Sequence, residues 1–156
     1  VINAGLDSFY NALKKSFKEN NIKVSDEADF YVYNLLTEYI KSAKFNTVSG
    51  FWNTDKPLTI LVKEAYEAPT ISEQLWKFVA IGDHSFFISS YFSGKIKNRN
   101  FGNSSEYCKA IGSESYLQAC GLCAHSERTF AKLYRELGEK FDGLVAVASY
   151  ALEQKL

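Results

Sequence analysis

Asp83, His84 and Ser85, with Ser89 one turn further on, form the densest group in this chain of side chains able to do chemistry. A carboxylate beside an imidazole can pass a proton, orient a reactant or hold a ligand, and an imidazole changes charge near neutral pH. A plain structural role stands beside that one. On a helix Asp83 and His84 project about 100° apart, so one can enter the core while the other reaches an edge. A buried Asp or His bonded to a neighbouring helix then needs no further purpose. Ser85 and Ser89 are spaced to bond back to the carbonyl one turn earlier.

Other constellations narrow the chemistry. A di-iron carboxylate site in a helical bundle needs Glu-x-x-His on two helices. The residues three before the two histidines, His84 and His125, are Ile81 and Leu122, so that pattern is excluded. Cys120-Gly-Leu-Cys123-Ala-His125 lacks the strand context of a thioredoxin-like motif, and Ala124 separates Cys123 from the histidine that c-type haem attachment requires. Zinc could draw on Cys108, Cys120, Cys123 and His125. If residues 105–123 are one helix, however, Cys108 and Cys120 lie about 18 Å apart along it, too far to share an ion. Packed structural thiols fit better, with a redox role open if Gly121 breaks the helix. No metal or cofactor is therefore expected. Gly112, Ser115 and Ala119, with nearby Gly121, form a small-residue strip that lets another helix approach closely. Phe51-Trp52 reads either as a lid or as an exposed patch for a partner.

These residues sit on a series of helices. The block Leu75 to Phe92 is apolar all round: Leu75, Phe78, Val79, Gly82, Phe86 and Ser89 share one side, and Trp76, Ile81, Phe87, Ile88, Tyr91 and Phe92 fill the rest. Such a helix is buried on most sides, so it reads as the centre of a bundle, and Asp83 must find donors there, such as a Tyr, a Ser, a backbone amide or Arg128. Thr70 and Glu73 form a capping box at its start, and Gly94 suits its end. Before it come helices from about Asp7 to Glu19, from a Ser25 or Asp26 cap to Ala43 along Phe30, Tyr33, Leu36 (or Leu35), Tyr39 and Ile40, and from Pro57 to Ala68. After it come Ser104 or Ser105 to Cys120, and Ser126 to Leu152 with the stripe Phe130, Leu133, Tyr134, Leu137, Phe141, Leu144, Val145, Ala148 and Leu152. Nothing alternates as a strand would. The expectation is one all-α domain over residues 1–156, a compact bundle of about six helices around a buried central helix at about 70–92.

Composition agrees. A chain of 156 residues that is 46 % hydrophobic, with 12 Phe and 10 Tyr, can bury a bulky core without disulfides or metal. Lysine and arginine balance aspartate and glutamate at 18 each, so no global field attracts nucleic acid or anionic lipid. The most basic run, Lys95 to Arg99, reads as a solvated loop, with a phosphate site as the other reading. No apolar run approaches the ~18–20 residues that cross a bilayer, and the start carries no signal peptide. The chain begins at Val1 and holds no methionine, consistent with a removed initiator or longer segment. Three cysteines do not suit a secreted disulfide framework, so a reducing cytoplasm is expected.

Gly82-Asp83-His84-Ser85-Phe86-Phe87-Ile88-Ser89-Ser90-Tyr91-Phe92 resembles a block, G-D-x-(small or apolar)-L-F-x-S-G-x-F, of a group of uncharacterised bacterial all-helical proteins; Ser90 stands where that block has glycine. Tyr107-x4-Gly112-x3-Tyr116 is similar to a second block of the group, and Glu136 to Val145 loosely to a third. The resemblance spans about residues 75–150. It implies a helical fold and a bacterial source and brings no activity with it. Candidate ligand-contacting residues are thus Asp83, His84, Ser85, Ser89, Tyr107 and Tyr116. The expected function is a non-enzymatic module that binds a protein partner or small apolar ligand, as a homo-oligomer. The alternative is an enzyme or cofactor binder using Asp83 and His84.

Overall fold

A computed structural model describes residues 2–44, 56–91, 105–123 and 128–155. Phe51-Trp52, the Lys95–Arg99 run, Gly94, His125 and the Arg128 side chain lie outside what is described. The elements are α1 (Ile2–Glu19), α2 (Asp26–Lys44), α3 (Leu58–Glu67), α4 (Ile71–Tyr91), α5 (Ser105–Cys123), α6 (Arg128–Glu139) and α7 (Phe141–Lys155). Among the described residues the fold is all-helical.

Helix ends follow local chemistry. Asn21 closes α1 in the left-handed region at φ 53°, and the Ile22 amide reaches back to the Phe17 carbonyl at 3.1 Å, the 6→1 bond of a Schellman ending. Ser25 caps α2 by accepting from the Ala28 amide at 3.1 Å. Thr70 does the same for α4, accepting from the Glu73 amide at 3.1 Å. Helix α1 starts about five residues earlier than the sequence pattern predicts, since only Gly5 in residues 2–6 opposes a helix, at a cost of about 1 kcal/mol.

Helix α4 is the hub, packing on α2, α3, α5 and α7. Its second half enters the main core, where Phe86 and Phe87 meet Phe9, Leu13, Val32, Leu36, Phe141, Leu144 and Val147. Its first half joins a smaller core with Ala65 of α3 and Ala119 of α5 around Phe78 and Ile81. The all-round burial expected of this block largely holds only from Phe78 to Ser90: Trp76 is 69 % exposed, Ile71 66 % and Tyr91 37 %.

Helix α5 runs antiparallel to both α4 and α6. The small residues at the first of these contacts explain how close it is. A Cβ on Gly112 would strike the Phe141 ring and lie 2.9 Å from the Ser85 Cβ. Ser115 and Ala119 are also buried. Gly121 is not part of this strip, because nothing lies within 4 Å of a Cβ there. Nor does it break the helix, which continues to Cys123.

The expected single helix from Ser126 to Leu152 is two, α6 and α7, with a break at Lys140. Gly138 lets α5 come close, and the Ser113 hydroxyl donates to the Gly138 carbonyl at 2.8 Å. A continuous helix would offer that carbonyl to the Asp142 amide, so a side chain inserted into the ladder accounts for the break.

Helix α2 corrects the predicted facing. Phe30, placed on its apolar stripe, is 69 % exposed, while Ala28, Val32, Leu35, Leu36 and Thr37 are buried. Its N-terminus is held by α6: Glu136 accepts from the Ser25 amide at 2.8 Å and from the Ser25 hydroxyl. The Lys140 ammonium donates to the Lys23 carbonyl at 2.8 Å and to Glu136 at 3.1 Å.

Candidate functional site

Asp83 joins three helices through one oxygen. The Tyr31 hydroxyl of α2 donates to Asp83 Oδ1 at 2.7 Å, and the Tyr116 hydroxyl of α5 donates to the same atom at 2.6 Å. Gly82 makes the second bond possible. A Cβ at that position would sit 2.7 Å from Tyr116 Cε1 and 2.8 Å from Cδ1, so only glycine lets the Tyr116 ring lie flat enough against α4 for its hydroxyl to reach the next residue. Tyr134 of α6 completes the surround. Its ring is stacked on Tyr116 with centroids 6.3 Å apart and stands at 90° to Tyr31 at 6.4 Å.

The electrostatics follow from these neighbours. Asp83 is only partly covered, yet the aromatic mass around it pushes its carboxyl up to about 7, against the pull of the two tyrosine bonds. Among the described residues no ion pair reaches it. Burial, then the Asp83 charge, raises the Tyr31, Tyr39 and Tyr116 hydroxyls well above the ordinary tyrosine range. These hydroxyls therefore remain donors at any physiological pH. Burial alone takes His84 down to about 4, so it is a neutral imidazole on a different side of α4.

The other predicted candidates disperse. Ser85 and Ser89 are fully buried, and neither hydroxyl bonds back along the helix as its spacing suggests; both lack a hydrogen-bond partner among the described residues. Ser90 makes the expected bond instead, donating to the Phe86 carbonyl at 2.8 Å. Tyr116 is in the site, whereas Tyr107 lies nine residues before it, about 14 Å along α5. Tyr31, Tyr39 and Tyr134 were not singled out by sequence for a site. The signal that could have found Tyr31 is its place one helical turn before Leu35 on the true buried face.

Cys108 and Cys123 are buried, Cys120 is partly exposed, and all three are free thiols. Among the described residues no group of three or more His, Cys, Asp or Glu is placed to hold a metal ion, and no helix is long and apolar enough to cross a membrane.

Helices α4 and α6 both pack on α5 and barely touch each other, while α2 contacts both. Being antiparallel to the same helix, α4 and α6 run parallel. Trp76 is two turns before Asp83 on one face of α4. Phe130 is 49 % exposed and stacks on Tyr134 at 6.4 Å. Ala80 and Ala119 are both buried, and Tyr134 packs against the cluster of Phe78, Ile81 and Ala119.

The chain matches no family model, no curated protein and no solved structure.

Proposed function

We propose that the protein is a non-enzymatic binding module that takes a protein partner or a small, largely apolar ligand through its exposed aromatic side chains Trp76 and Phe130. The observation that carries this reading is the exposure of two large aromatic side chains, Trp76 at 69 % and Phe130 at 49 %. Exposed aromatic surface is costly to leave in water and commonly marks a binding surface. The tyrosine–Asp83 hydrogen bonds serve the module by holding α2, α4 and α5 together. The resemblance of residues 82–92 supports a bacterial source, and three free thiols support a cytoplasmic setting. Exposed Ile60, Tyr66 and Ile71 support self-association through the α3 side of the bundle.

Titration with an environment-sensitive apolar dye tests the module. One equivalent per chain should bind saturably, and a Trp76→Ala, Phe130→Ala variant should weaken it about tenfold or more. Unsaturable or absent binding would refute the reading.

A second reading, an enzyme using Asp83 as acid and base beside His84, is favoured by one observation: the carboxyl sits near neutrality at the edge of solvent. Turnover abolished in Asp83→Asn with dye binding intact would place this reading first.

A further inference from the structure

The last turn of α5 carries two thiols, Cys120 and Cys123, with Gly121 and Leu122 between them. We infer that this pair is a thiol–disulfide exchange site whose co-reactant is a low-molecular-weight disulfide of the glutathione type. The pair is built asymmetrically. Cys120 is partly exposed, whereas Cys123 is 1 % exposed. Gly121, beside Cys120, is exposed, and nothing lies within 4 Å of where its Cβ would stand. A reagent can therefore approach Cys120 from the Gly121 side, while Cys123 is placed to meet what Cys120 has already taken up.

Helix geometry brings the two side chains close. Residues i and i+3 share one face, with Cβ atoms about 5–6 Å apart, and a disulfide needs about 3.5–4.5 Å. The end of a helix can absorb that difference. The carbonyls of the last four residues have no intrahelical donor, so tightening this turn into a 3₁₀ form costs few hydrogen bonds, and in that form side chains at i and i+3 eclipse. Cys108 stands outside the pair, about 18 Å from Cys120 along the same helix. It is 3 % exposed, and burial pushes its thiol up, which leaves it little thiolate to react.

The exchange takes two steps. The Cys120 thiolate attacks one sulfur of the small disulfide, forming a mixed disulfide and releasing one thiolate, which takes up the proton that Cys120 lost. The Cys123 thiolate then attacks the Cys120 sulfur, closing the Cys120–Cys123 bond and releasing the second thiolate, which takes up the Cys123 proton. Two cysteines are thus oxidised by two electrons, and one disulfide is reduced to two thiols.

The full chain is incubated with oxidised glutathione, blocked with iodoacetamide in denaturant and read by mass spectrometry of the intact protein and its peptides. The parent should lose two hydrogens, hold no glutathione and be alkylated at Cys108 alone. Cys123→Ala, checked for native helicity by circular dichroism, should stop at one glutathione on Cys120. Cys120→Ser should react about tenfold or more slowly than the parent. A lasting glutathione adduct on Cys120 of the parent, a disulfide that includes Cys108, or a Cys120→Ser variant as fast as the parent overturns the inference. So do three alkylated cysteines in the parent when a cysteine peptide in the same tube is fully converted.

Discussion

Helix α2 is fastened to the bundle by two carboxylates that behave in opposite ways. Glu136 sits near the surface at the N-terminus of α2. Burial alone would push its carboxyl up, but the Ser25 hydroxyl and amide and the Lys140 ammonium hold it below the usual range. Asp83 sits two turns deeper, where its donors are neutral tyrosines, and there burial wins and the carboxyl rises to about 7. The number of hydrogen bonds does not separate them, since each accepts at least two. What separates them is the charge of the partners and their access to water. Glu136 has a cation and the positive end of a helix; Asp83 has neither. One is a fastening, and the other is a fastening with an unmet charge, which is why function is sought at Asp83.

The largest effect expected is at the aromatic site. Asp83→Ala leaves two tyrosine hydroxyls without an acceptor, a cost of about 2–4 kcal/mol in urea denaturation at pH 6. Asp83→Asn keeps an acceptor and should cost about 1 kcal/mol. Two variants within about 0.5 kcal/mol of the parent would mean that Asp83 is solvated and that the contrast with Glu136 is false.

The pH dependence should run in opposite directions at the two sites. A carboxyl raised in the folded state contributes its stability fully below its unfolded value near 3.8 and loses it as pH rises through about 7. The parent should therefore lose about 2–4 kcal/mol relative to Asp83→Asn between pH 4 and pH 8. His84, common to both proteins, cancels in this difference. Glu136 is lowered, so its contribution is present above about 4.5 and disappears on acidification. The parent's advantage over Glu136→Gln should accordingly shrink as pH falls. Parallel slopes in the two difference curves would break the comparison.

Gly82→Ala sharpens it. The added Cβ meets a Tyr116 ring that is 1 % exposed and has nowhere to go, so about 1–3 kcal/mol of stability should be lost. The Asp83 carboxyl should also titrate differently once the Tyr116 hydroxyl is displaced. Loss of stability with an unchanged titration would separate the packing role of Gly82 from the hydrogen bond. The smallest effects belong to the surface clasp. Ser25→Ala should cost about 1 kcal/mol as a lost helix cap, and Lys140→Ala about 0.5 kcal/mol, reduced further by salt.

Much of this was legible from the residues alone. Apolar spacing and the caps Ser25 and Thr70 mark four helices to within a few residues, because those signals are local. The crowding of apolar residues around Gly82-Asp83 also tells that the carboxylate must find donors on another helix. Two things were hidden. The stripe through Leu137, Phe141 and Leu144 keeps helical spacing across Lys140, so the break there, which depends on a hydroxyl from α5, leaves no trace in the periodicity. The choice between Phe30 and Tyr31 as the inward residue was hidden too, since four consecutive apolar or aromatic residues, Phe30 to Tyr33, present no blank side. Only the packing of α2 across α4 and α6 selects Tyr31, and with it the partner of Asp83.

The central claim is that Asp83 is a carboxyl held among tyrosines without a charged partner. Its titration, followed by carboxyl carbon NMR on the protein labelled at aspartate and assigned with Asp83→Asn, tests that claim directly. One resonance, absent from the variant, should move with a midpoint near 7. A midpoint near the ordinary 3.8 would show a solvated or cation-paired carboxylate and contradict the account.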